Sequence, residues 1–351
     1  CLTVYEDILT RILNHPDSVT LEQVAFVLSN EELTPKLFAK ADEVRRKYLG
    51  TEVFLRGIIE FSNYCSSNCL YCGIRAQNKH VHRYRMTPQE IVDRAQIISA
   101  QGIKTVVLQS GEDPFYTKET LGDIISAIKS LGLTITLSLG ERSFDEYSYW
   151  KALGADRYLM RHETADEELY EKLHPGDKLE NREAHLLELK RLGYEVGAGS
   201  MVGLPGQDDF ALAKDILFTY ELDADMIGIG PFIPHPDTPL RDAPQGTLEN
   251  TLKMVALTRL FLPDANIPAT TALGSIHPQG RQMALKCGAN VIMPNFTPSP
   301  YRAEYVLYPN KICVMENDVA CGECTKALVK SAGYTVSSSH GYRKRRIKEQ
   351  Q

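Results

Sequence analysis

The sequence has little of several features that would place it in a common structural class. Eight cysteines in 351 residues are too few for a disulfide-dense secreted scaffold, and we expect no signal peptide. No apolar run is long enough to span a bilayer, which predicts a soluble protein. The grouping of the cysteines described below predicts a reducing compartment, the cytoplasm. The net charge of −6 provides no general attraction to nucleic acid or to an anionic membrane. The apolar content of 43% and charged content of 24% are those of an ordinary globular protein.

Six of the eight cysteines lie in two short triplets. Cys65, Cys69 and Cys72 are spaced Cys-x3-Cys-x2-Cys, and a second triplet consists of Cys313, Cys321 and Cys324. Such triplets favour metal ligation over a disulfide framework. Three thiolates on one loop can hold three irons of an iron–sulfur cubane and leave the fourth iron open. A structural zinc ion is the alternative, but it would need a distant fourth ligand.

The pattern of apolar residues predicts a complete (β/α)8 TIM-type barrel with an extension at each end. Residues 1–51 read as an N-terminal helical extension, in which Thr20 and Gln23 form a capping-box signature. From residue 52 to 296, β-branched runs alternate with helical patterns, which favours parallel βαβ units. Residues 297–351 form a C-terminal extension with the second triplet and a basic tail at 342–348, expected to be solvated. The predicted strands are 53–61, 104–109, 133–139, 156–161, 194–201, 225–230, 266–272 and 289–293.

In such a barrel, the active site lies where the strands end. The first cysteine triplet follows the first predicted strand, and polar or Gly/Pro-rich residues follow the others. The barrel therefore predicts that the cysteine loop and these polar strand ends share one face.

The first triplet, with Tyr71 just before Cys72, resembles the signature of the radical S-adenosylmethionine (SAM) enzymes. The resemblance implies a 4Fe-4S cluster whose open iron binds SAM. It also implies reductive cleavage of SAM to a 5′-deoxyadenosyl radical, so that the cofactor carries the reactive chemistry and the protein positions it.

The same resemblance implies a set of SAM contacts at the strand ends. Ser110, Gly111 and Glu112 would receive the ammonium group of SAM, and Arg182 is the natural cation for its carboxylate. The remaining residues implied near SAM are Tyr71, Ser138, Glu163 and Met201. Taken singly, Arg182 could be a helix-surface residue and Glu163 an ordinary ion-pair partner; their order along successive strand ends favours a SAM site.

Longer segments narrow the resemblance. Residues 157–164, 198–207 and 229–240 resemble the biotin-synthase-like group of radical SAM enzymes. Residues 69–73, 107–114, 268–272 and 293–302 resemble, within that group, the maturases of FeFe-hydrogenase. This resemblance runs from about residue 35 to 330. It implies an enzyme that acts on a cysteine-bound iron carbonyl/cyanide precursor and helps to assemble the diiron subsite of the H-cluster.

The maturase resemblance also implies a substrate pocket and partners. A polar, anionic substrate needs positive charge and hydrogen-bond donors near the barrel axis, for which Arg161, Thr270 and Thr271 are candidates. Further candidates are His162, Met293 and Tyr305. The threonines could instead fill an interior layer, although barrel interiors favour Val, Ile and Leu. The implied partners are a small organometallic or amino-acid-derived substrate, the other maturation proteins, and a reductase or ferredoxin.

The second triplet resembles an accessory cluster site, 2Fe-2S or 4Fe-4S, and we expect it to be dispensable for catalysis. Three alternative functions remain at this point. A biotin synthase should carry further barrel cysteines, which predicted strands two to six lack. A methylornithine synthase is a nearer alternative, against which the second triplet and residues 293–302 weigh. A non-catalytic iron–sulfur scaffold would not need the SAM-contacting residues.

Overall fold

The protein is a parallel sheet surrounded by helices, as seen in a computed structural model that describes residues 1–309, 311 and 318–345. The strands along the main path of the sheet are β1 (Glu52–Ser62), β2 (Thr105–Ser110), β3 (Thr134–Ser138), β4 (Arg157–Leu159), β5 (Glu195–Val202), β6 (Met226–Pro231) and β7 (Val291–Ile292). Their order is β6-β5-β4-β3-β2-β1-β7, and the paired neighbours run parallel. This order agrees with the predicted TIM-like fold.

Helices follow the strands and cover the outside of the sheet. Their bounds are α1 (Leu2–Asn14), α2 (Leu21–Ser29), α3 (Thr34–Leu49), α4 (Pro88–Ala100), α5 (Lys118–Lys129), α6 (Phe144–Ala152), α7 (Glu167–Leu173), α8 (Leu179–Arg191), α9 (Asp209–Leu222), α10 (Leu248–Phe261), α11 (Thr271–Ile276), α12 (Gly280–Leu285), α13 (Ser299–Arg302) and α14 (Asp318–Ser331). None of the described helices is both long and apolar enough to cross a membrane.

The N-terminal helices pack against the outer helices of the barrel. Helix α2 contacts α9, and α3 contacts α10. The predicted capping box begins α2: the Gln23 N–H donates to the Thr20 hydroxyl at 3.2 Å, and the Thr20 N–H donates to Gln23 Oε1 at 3.0 Å. Two orphan N–H groups are thereby satisfied, which fixes the start of the helix.

The prediction of a complete ring of eight regular strands is wrong at one position. The segment predicted as the seventh strand, 266–272, forms isolated bridges: Asn266 pairs with Met226 of β6, and Pro268 pairs with Val291 of β7. Pro268 has no N–H to continue a ladder, and Thr271 already begins α11. Within the described residues, seven strands form an open path whose ends meet through these bridges. Strand β8 (Thr335–Val336) pairs with the start of β1 instead.

The C-terminal extension closes the end of the barrel at which the strands begin. The Thr134 hydroxyl lies 2.7 Å from Nδ1 of His340, and the Gly341 carbonyl accepts from Arg56 at 3.1 Å. Arg343 is 1% exposed and forms ion pairs with Asp223 at 2.9 Å, Asp225 at 3.2 Å and Asp264 at 2.9 Å.

The expected solvated basic tail is therefore wrong for Arg343. Three carboxylates recruit its guanidinium into the barrel base, since a buried cation requires anionic or polar partners. Residues 346–348 of that tail lie outside the described residues.

Candidate active site

The cysteine loop begins directly after β1. It lies at the end of the barrel opposite the end that the C-terminal extension closes. Cys65, Cys69 and Cys72 are free thiols of intermediate exposure. Burial, together with the nearby Cys65 sulfur, raises the pKa of Cys69 to about 12. Burial and the other two thiols also raise the pKa of Cys72. The thiols are thus protonated at neutral pH unless a metal supplies the positive charge that stabilises their thiolates.

The loop places hydrogen-bond donors around its sulfurs. The backbone N–H groups of Ser67 and Glu112 reach the Cys65 sulfur, and the N–H of Ile74 reaches Cys72. Donors of this kind suit thiolates that are bound to iron. The reduction potential of an iron–sulfur cluster depends on hydrogen bonds to its sulfurs. The donor set therefore fits an iron–sulfur cluster.

A mononuclear zinc site fits less well. No group of three or more His, Cys, Asp or Glu side chains in the described ranges is arranged to hold a single metal ion. A cubane takes its thiolates on separate irons, so the three sulfurs of the loop do not need to converge on one point. The loop is suited to a cluster rather than to a closed tetrahedral ion site.

The end of β2 is packed tightly against this loop. A Cβ added to Gly111 would lie 2.2 Å from the Tyr64 carbonyl oxygen and 2.8 Å from the Cys65 Cβ. Only glycine allows this approach, which brings Glu112 alongside the loop. The Glu112 carboxylate accepts from Ser67 Oγ at 2.8 Å and from the Glu141 N–H at 3.0 Å.

A cavity of about 290 Å3 opens at the ends of the strands, beside the cysteine loop. Its polar and charged lining residues are Glu60, Tyr71, Gln109, Ser110, Ser138, Arg161, Glu163, Arg182, Thr270, Thr271, Arg281, Asn295, Tyr305, Tyr308 and Lys311. Chemically diverse groups thus converge on one concave site, as a small-molecule active site requires.

Arg161 and Glu163 form an ion pair within this lining, with Nε and Oε1 2.8 Å apart. Glu163 has a φ of +66°, which is unusual for a residue with a side chain and costs of the order of 1 kcal/mol. Its backbone is tied to β5 at both Gly199 and Met201, each by a hydrogen bond of 2.9 or 3.0 Å. The strained turn is therefore held by the sheet and aims the carboxylate into the cavity.

Arg182 reaches the same cavity from α8. Its Nε lies 2.8 Å from Oε1 of Glu141, and Nη1 donates to the Arg161 carbonyl at 2.6 Å. Burial alone would lower its pKa, but Tyr170 and Glu141 outweigh that effect and raise the pKa. Arg182 is thus a fixed cation, suited to a carboxylate.

Tyr71 joins the cysteine loop to α7. Its hydroxyl lies 2.8 Å from Nε2 of His174, while Nδ1 of His174 lies 2.8 Å from the Tyr170 carbonyl. The carbonyl requires the proton on Nδ1, so the Tyr71 hydroxyl donates to Nε2. Met201 and Tyr71 each pack against a small apolar cluster formed by Leu173, Leu204 and Phe232. Met201 is not among the residues that line the cavity, although it was predicted to contact SAM.

One predicted pocket residue lies elsewhere. His162 is fully buried, and its Nε2 lies 3.0 Å from Oδ1 of Asp215 on α9. The reason is local: at this strand end, Arg161 and Glu163 point into the cavity, while His162 between them points away. The prediction that His162 contributes to the substrate pocket is wrong.

The remaining predicted pocket residues, Thr270, Thr271, Met293 and Tyr305, line the cavity. Thr270 precedes α11, and Thr271 is its first residue, so neither belongs to a strand. The Thr270 hydroxyl donates to the Ile229 carbonyl at 3.2 Å. Thr270 therefore precedes and Thr271 begins a short helix beside the cavity, and neither belongs to an interior layer of strand residues.

The sequence did not predict one ion pair that borders the cavity. Lys311 Nζ lies 2.5 Å from Oε2 of Glu60, and Glu60 Oε1 accepts from Asn295 at 2.8 Å. Lys311 also donates to the Tyr305 carbonyl at 3.1 Å. A carboxylate near the end of the largely apolar strand β1 was the available signal for Glu60. No local pattern marked Lys311, which reaches the site from the C-terminal extension.

The second triplet is described only in part. Cys313 lies outside the described residues, and of Cys321 only the backbone is described, within α14. Cys324 is exposed. The accessory cluster therefore stays a prediction.

Comparison with known proteins places this cavity and cysteine loop in a defined class. The model of the radical SAM superfamily matches residues 59–218, and that of the biotin and thiamin synthesis associated domain matches residues 229–303. The chain belongs to the radical SAM superfamily, as the relatives below also establish. Membership implies a 4Fe-4S cluster and SAM as cofactors, and it makes the protein a radical SAM enzyme.

The particular relatives narrow the class. The chain is 57% identical over 321 residues to the FeFe hydrogenase maturase subunit HydE of Thermotoga maritima, with 92% of each chain covered. It is 32% identical over 282 residues to the 3-methylornithine synthase of Methanosarcina acetivorans, covering 80% of this chain and 79% of that relative. The crystal structure of methylornithine synthase (PylB) superposes with a TM-score of 0.80 at 25% identity, covering 94% and 97% of the two chains. The predicted family resemblance is confirmed.

Proposed function

We propose that this protein is a radical SAM enzyme of FeFe-hydrogenase maturation. It would act on a cysteine-bound iron carbonyl/cyanide precursor and help to assemble the diiron subsite of the H-cluster. The observation that carries this proposal is the 57% identity to a HydE protein across 92% of both chains. The cysteine loop beside a cavity of charged and polar groups supports the same activity.

We further propose how the chain would hold its cofactors. When bound, the cluster and SAM supply a 5′-deoxyadenosyl radical through one-electron reduction of the sulfonium. Cys65, Cys69 and Cys72 would each ligate one iron. Arg182, fixed by Glu141 at 2.8 Å, would receive the SAM carboxylate, and Glu163 would contact a hydroxyl or ammonium group.

Tyr71, Ser110 and Ser138 line the same cavity and would contribute further SAM contacts. Gly111 and Glu112 would act through their backbone groups. The carboxylate of Glu112 is already bonded to Ser67 and to the Glu141 N–H, so its role would be to join the cysteine loop to the loop after β3.

The substrate would occupy the part of the cavity between α11 and the C-terminal extension. Arg161 and Arg281 line the cavity and would supply positive charge there, and Thr270, Met293 and Tyr305, which also line it, would surround the substrate. These groups suit a small anionic metal complex, because guanidinium groups bind anions through directed N–H donors. Exclusion of water by Tyr305, which is 2% exposed, would protect a radical from side reactions.

The test is anaerobic reconstitution with iron and sulfide, followed by reduction in the presence of SAM and the iron–cysteine complex. We expect 5′-deoxyadenosine and an active hydrogenase in a maturation assay. Cys69→Ala should lose both, while Cys1→Ala, which removes an exposed thiol outside the loop, should lose neither. A protein that binds the cluster but yields no 5′-deoxyadenosine would instead be a scaffold.

We also propose the finer partners and location. The other hydrogenase maturation proteins and a reductase or ferredoxin would be its partners, in the cytoplasm, where thiols stay reduced. The second triplet, Cys313, Cys321 and Cys324, would hold an accessory 2Fe-2S or 4Fe-4S cluster that catalysis does not need. Loss of maturation in a triple Ser variant would contradict that last statement.

A methylornithine synthase activity is the second candidate, because the PylB structure superposes over 94% of the chain. The lower identity of 32% to that enzyme class, against 57% to HydE, favours the maturase. Formation of methylornithine by the reconstituted protein, without action on the iron–cysteine complex, would reverse this preference.

A further inference from the structure

The loop that carries the cysteine triplet continues into a segment with an unusual charge distribution. Between Phe61 and Gln89 the sequence contains no Asp or Glu, although the whole chain has a net charge of −6. The same stretch contains the cations Arg75, Lys79, Arg83 and Arg85, and the histidines His80 and His82. An acidic protein thus carries a locally basic segment, in which Lys79, His80, His82 and Arg85 are exposed, and that segment adjoins its proposed redox centre.

The segment is a fixed structure rather than a loose loop. Arg83 donates to the carbonyls of Asn63 at 2.5 Å, Ile74 at 2.7 Å, Arg75 at 2.8 Å and Asn78 at 3.1 Å. Carbonyl oxygens fix a guanidinium without cancelling its charge. Residues 75–83 therefore form a preorganised surface, which reduces the entropy lost when a partner binds.

Few carboxylates oppose this charge. Arg75 bonds to the carbonyls of Cys69 and Asn68, each at 3.2 Å. Arg85 is the exception, since it pairs with Asp113 at 2.9 Å. Within the described residues, no carboxylate pairs with Arg75, Lys79 or Arg83. The segment consequently carries a net positive charge.

The exposed part of the segment borders a recess that reaches the triplet. The recess, of about 300 Å3, is lined by Tyr64, Cys65, Ala76, Asn78, Lys79, Val81 and Arg83. Lys79, His80 and His82 are exposed around it. The cavity proposed for SAM shares none of these lining residues. The recess is thus a second approach to the cluster position, through Cys65.

We propose that residues 75–83 and the recess at Cys65 form the docking surface for a protein electron donor that is acidic around its own redox centre. This inference rests on the proposed function, which requires an electron to reach the cluster while SAM occupies the cavity. Electron transfer weakens steeply with distance, so a donor has to dock close to the cluster. Opposite charge at the contact accelerates that encounter.

The experiment compares two reductants on the reconstituted holoenzyme. Bleaching of the cluster is followed by stopped flow with reduced flavodoxin, an acidic one-electron protein, and separately with reduced methyl viologen, a small cation. Lys79→Glu should slow reduction by flavodoxin about tenfold at low ionic strength. The double variant Lys79→Glu/His82→Glu should slow it further, and salt should diminish both effects. The rate with methyl viologen should not fall.

Lys104→Glu is the matched control, because Lys104 is exposed and precedes β2 at the opposite end of the barrel. It makes the same charge change and should retain the parental rate. The docking surface is wrong if Lys79→Glu keeps the parental rate with flavodoxin, or if Lys104→Glu loses as much. It is equally wrong if methyl viologen slows in parallel, because the substitution would then act on the cluster itself.

Failure of the docking surface and failure of the proposed function are distinguishable. Formation of 5′-deoxyadenosine with methyl viologen as the reductant tests the function without any protein donor. Parental product formation in that assay, combined with an unchanged flavodoxin rate in Lys79→Glu, would overturn the docking surface alone.

Discussion

The two ends of the barrel both contain buried charge, but they use it differently. At the closed end, Arg343 is paired with three aspartates, and Arg157 lies 2.8 Å from Glu195 with both side chains nearly inaccessible. At the open end, the ion pairs Arg161–Glu163 and Lys311–Glu60 border a cavity of about 290 Å3. Charge at the closed end is satisfied by protein, whereas charge at the open end also faces space for a ligand.

The role of a buried ion pair therefore depends on its surroundings. Desolvation of the two charged groups makes a buried ion pair costly in free energy. Such a pair is therefore expected where it fixes the structure or binds a ligand. The closed end joins the C-terminal segment to the barrel, which is a structural task. The open end matches the expectation that barrel enzymes place chemistry at the ends of their strands and stability at the other face.

The largest expected effect comes from breaking the closed end. Arg343→Ala would leave Asp225, which is 3% exposed at its side chain, and the neighbouring Asp223 and Asp264 without their shared cation. Removal of one partner of a buried pair costs about 3–5 kcal/mol. Chemical denaturation should show this loss in the free energy of unfolding.

Arg345→Ala is the control for that variant. Arg345 also pairs with Asp223, but its side chain is 45% exposed, so its loss should cost less than about 1 kcal/mol. Equal loss of unfolding free energy in the two variants would mean that the buried Arg343 stabilises the protein no more than the exposed Arg345. The C-terminal extension would then not stabilise the closed end through Arg343.

The next effect concerns the open end and activity. Arg161→Ala should leave SAM binding intact and reduce hydrogenase maturation by about 100-fold or more, because a cation directed at the reacting group is lost. Its side chain is 30% exposed, so the free energy of unfolding should change by less than about 1 kcal/mol. Titration with SAM and a maturation assay measure the two quantities.

Arg241→Ala provides the comparison for Arg161. Arg241 lies in the loop after β6, has a 62% exposed side chain and is 3.8 Å from Asp242. It should show parental activity. Normal maturation by Arg161→Ala would remove Arg161 from the mechanism and weaken the distinction between the two ends.

A third variant tests whether Asp215, on the outer helix α9, holds the strained turn at Glu163. Oδ1 of Asp215 accepts from His162 at 3.0 Å and from the Ala165 N–H at 2.7 Å, on either side of Glu163. Asp215→Ala should cost about 1–3 kcal/mol of stability and weaken SAM binding, because Glu163 is no longer held at its φ of +66°.

Asp215→Asn keeps an acceptor oxygen at the same position and should recover most of the SAM affinity. Calorimetric titration with SAM separates the two variants. If both destabilise the protein and neither alters the affinity for SAM, Asp215 has a structural role alone.

Regular local patterns made most of the fold predictable. Helix ends were marked by glycine, and the glycines at 102, 132, 154, 193 and 288 all have positive φ. Strands β1 to β6 followed from runs of β-branched residues, because both faces of a parallel strand are buried. The seventh strand failed since Pro268 and the onset of α11 interrupt an otherwise strand-like run.

The site was predictable where a motif carries the chemistry and less so where distant segments meet. The cysteine triplet and Arg161 stand in recognisable segments. Lys311 and Arg343 do not, because each finds its partners more than 70 residues away in the chain, at Glu60 and Asp264. Sequence shows that a cation is present; only packing shows which carboxylate it meets. His162 was misassigned since adjacent residues at a strand end point in opposite directions.

The smallest effect is a pH dependence of the closed end. Burial alone would raise the pKa of Asp223, but the guanidinium groups of Arg345 and Arg343 outweigh it and hold the pKa below its ordinary value. A lowered pKa in the folded state means that the unfolded chain binds its proton first. The stabilisation is therefore present above a pH of about 4 and is lost as the pH falls through the folded pKa.

Asp223→Asn removes this titration with little strain, because Asp223 has a φ of +52° and Asn also tolerates the left-handed region. Urea unfolding of the cluster-free protein at about pH 5 and pH 3 should show a smaller loss of stability in the variant than in the parent. The difference should stay below about 1 kcal/mol, since the Asp223 side chain is 37% exposed. Asp242→Asn, at a 94% exposed side chain, should retain the parental pH dependence. Identical pH dependence in Asp223→Asn and the parent would show that Asp223 does not contribute to the acid sensitivity of the closed end.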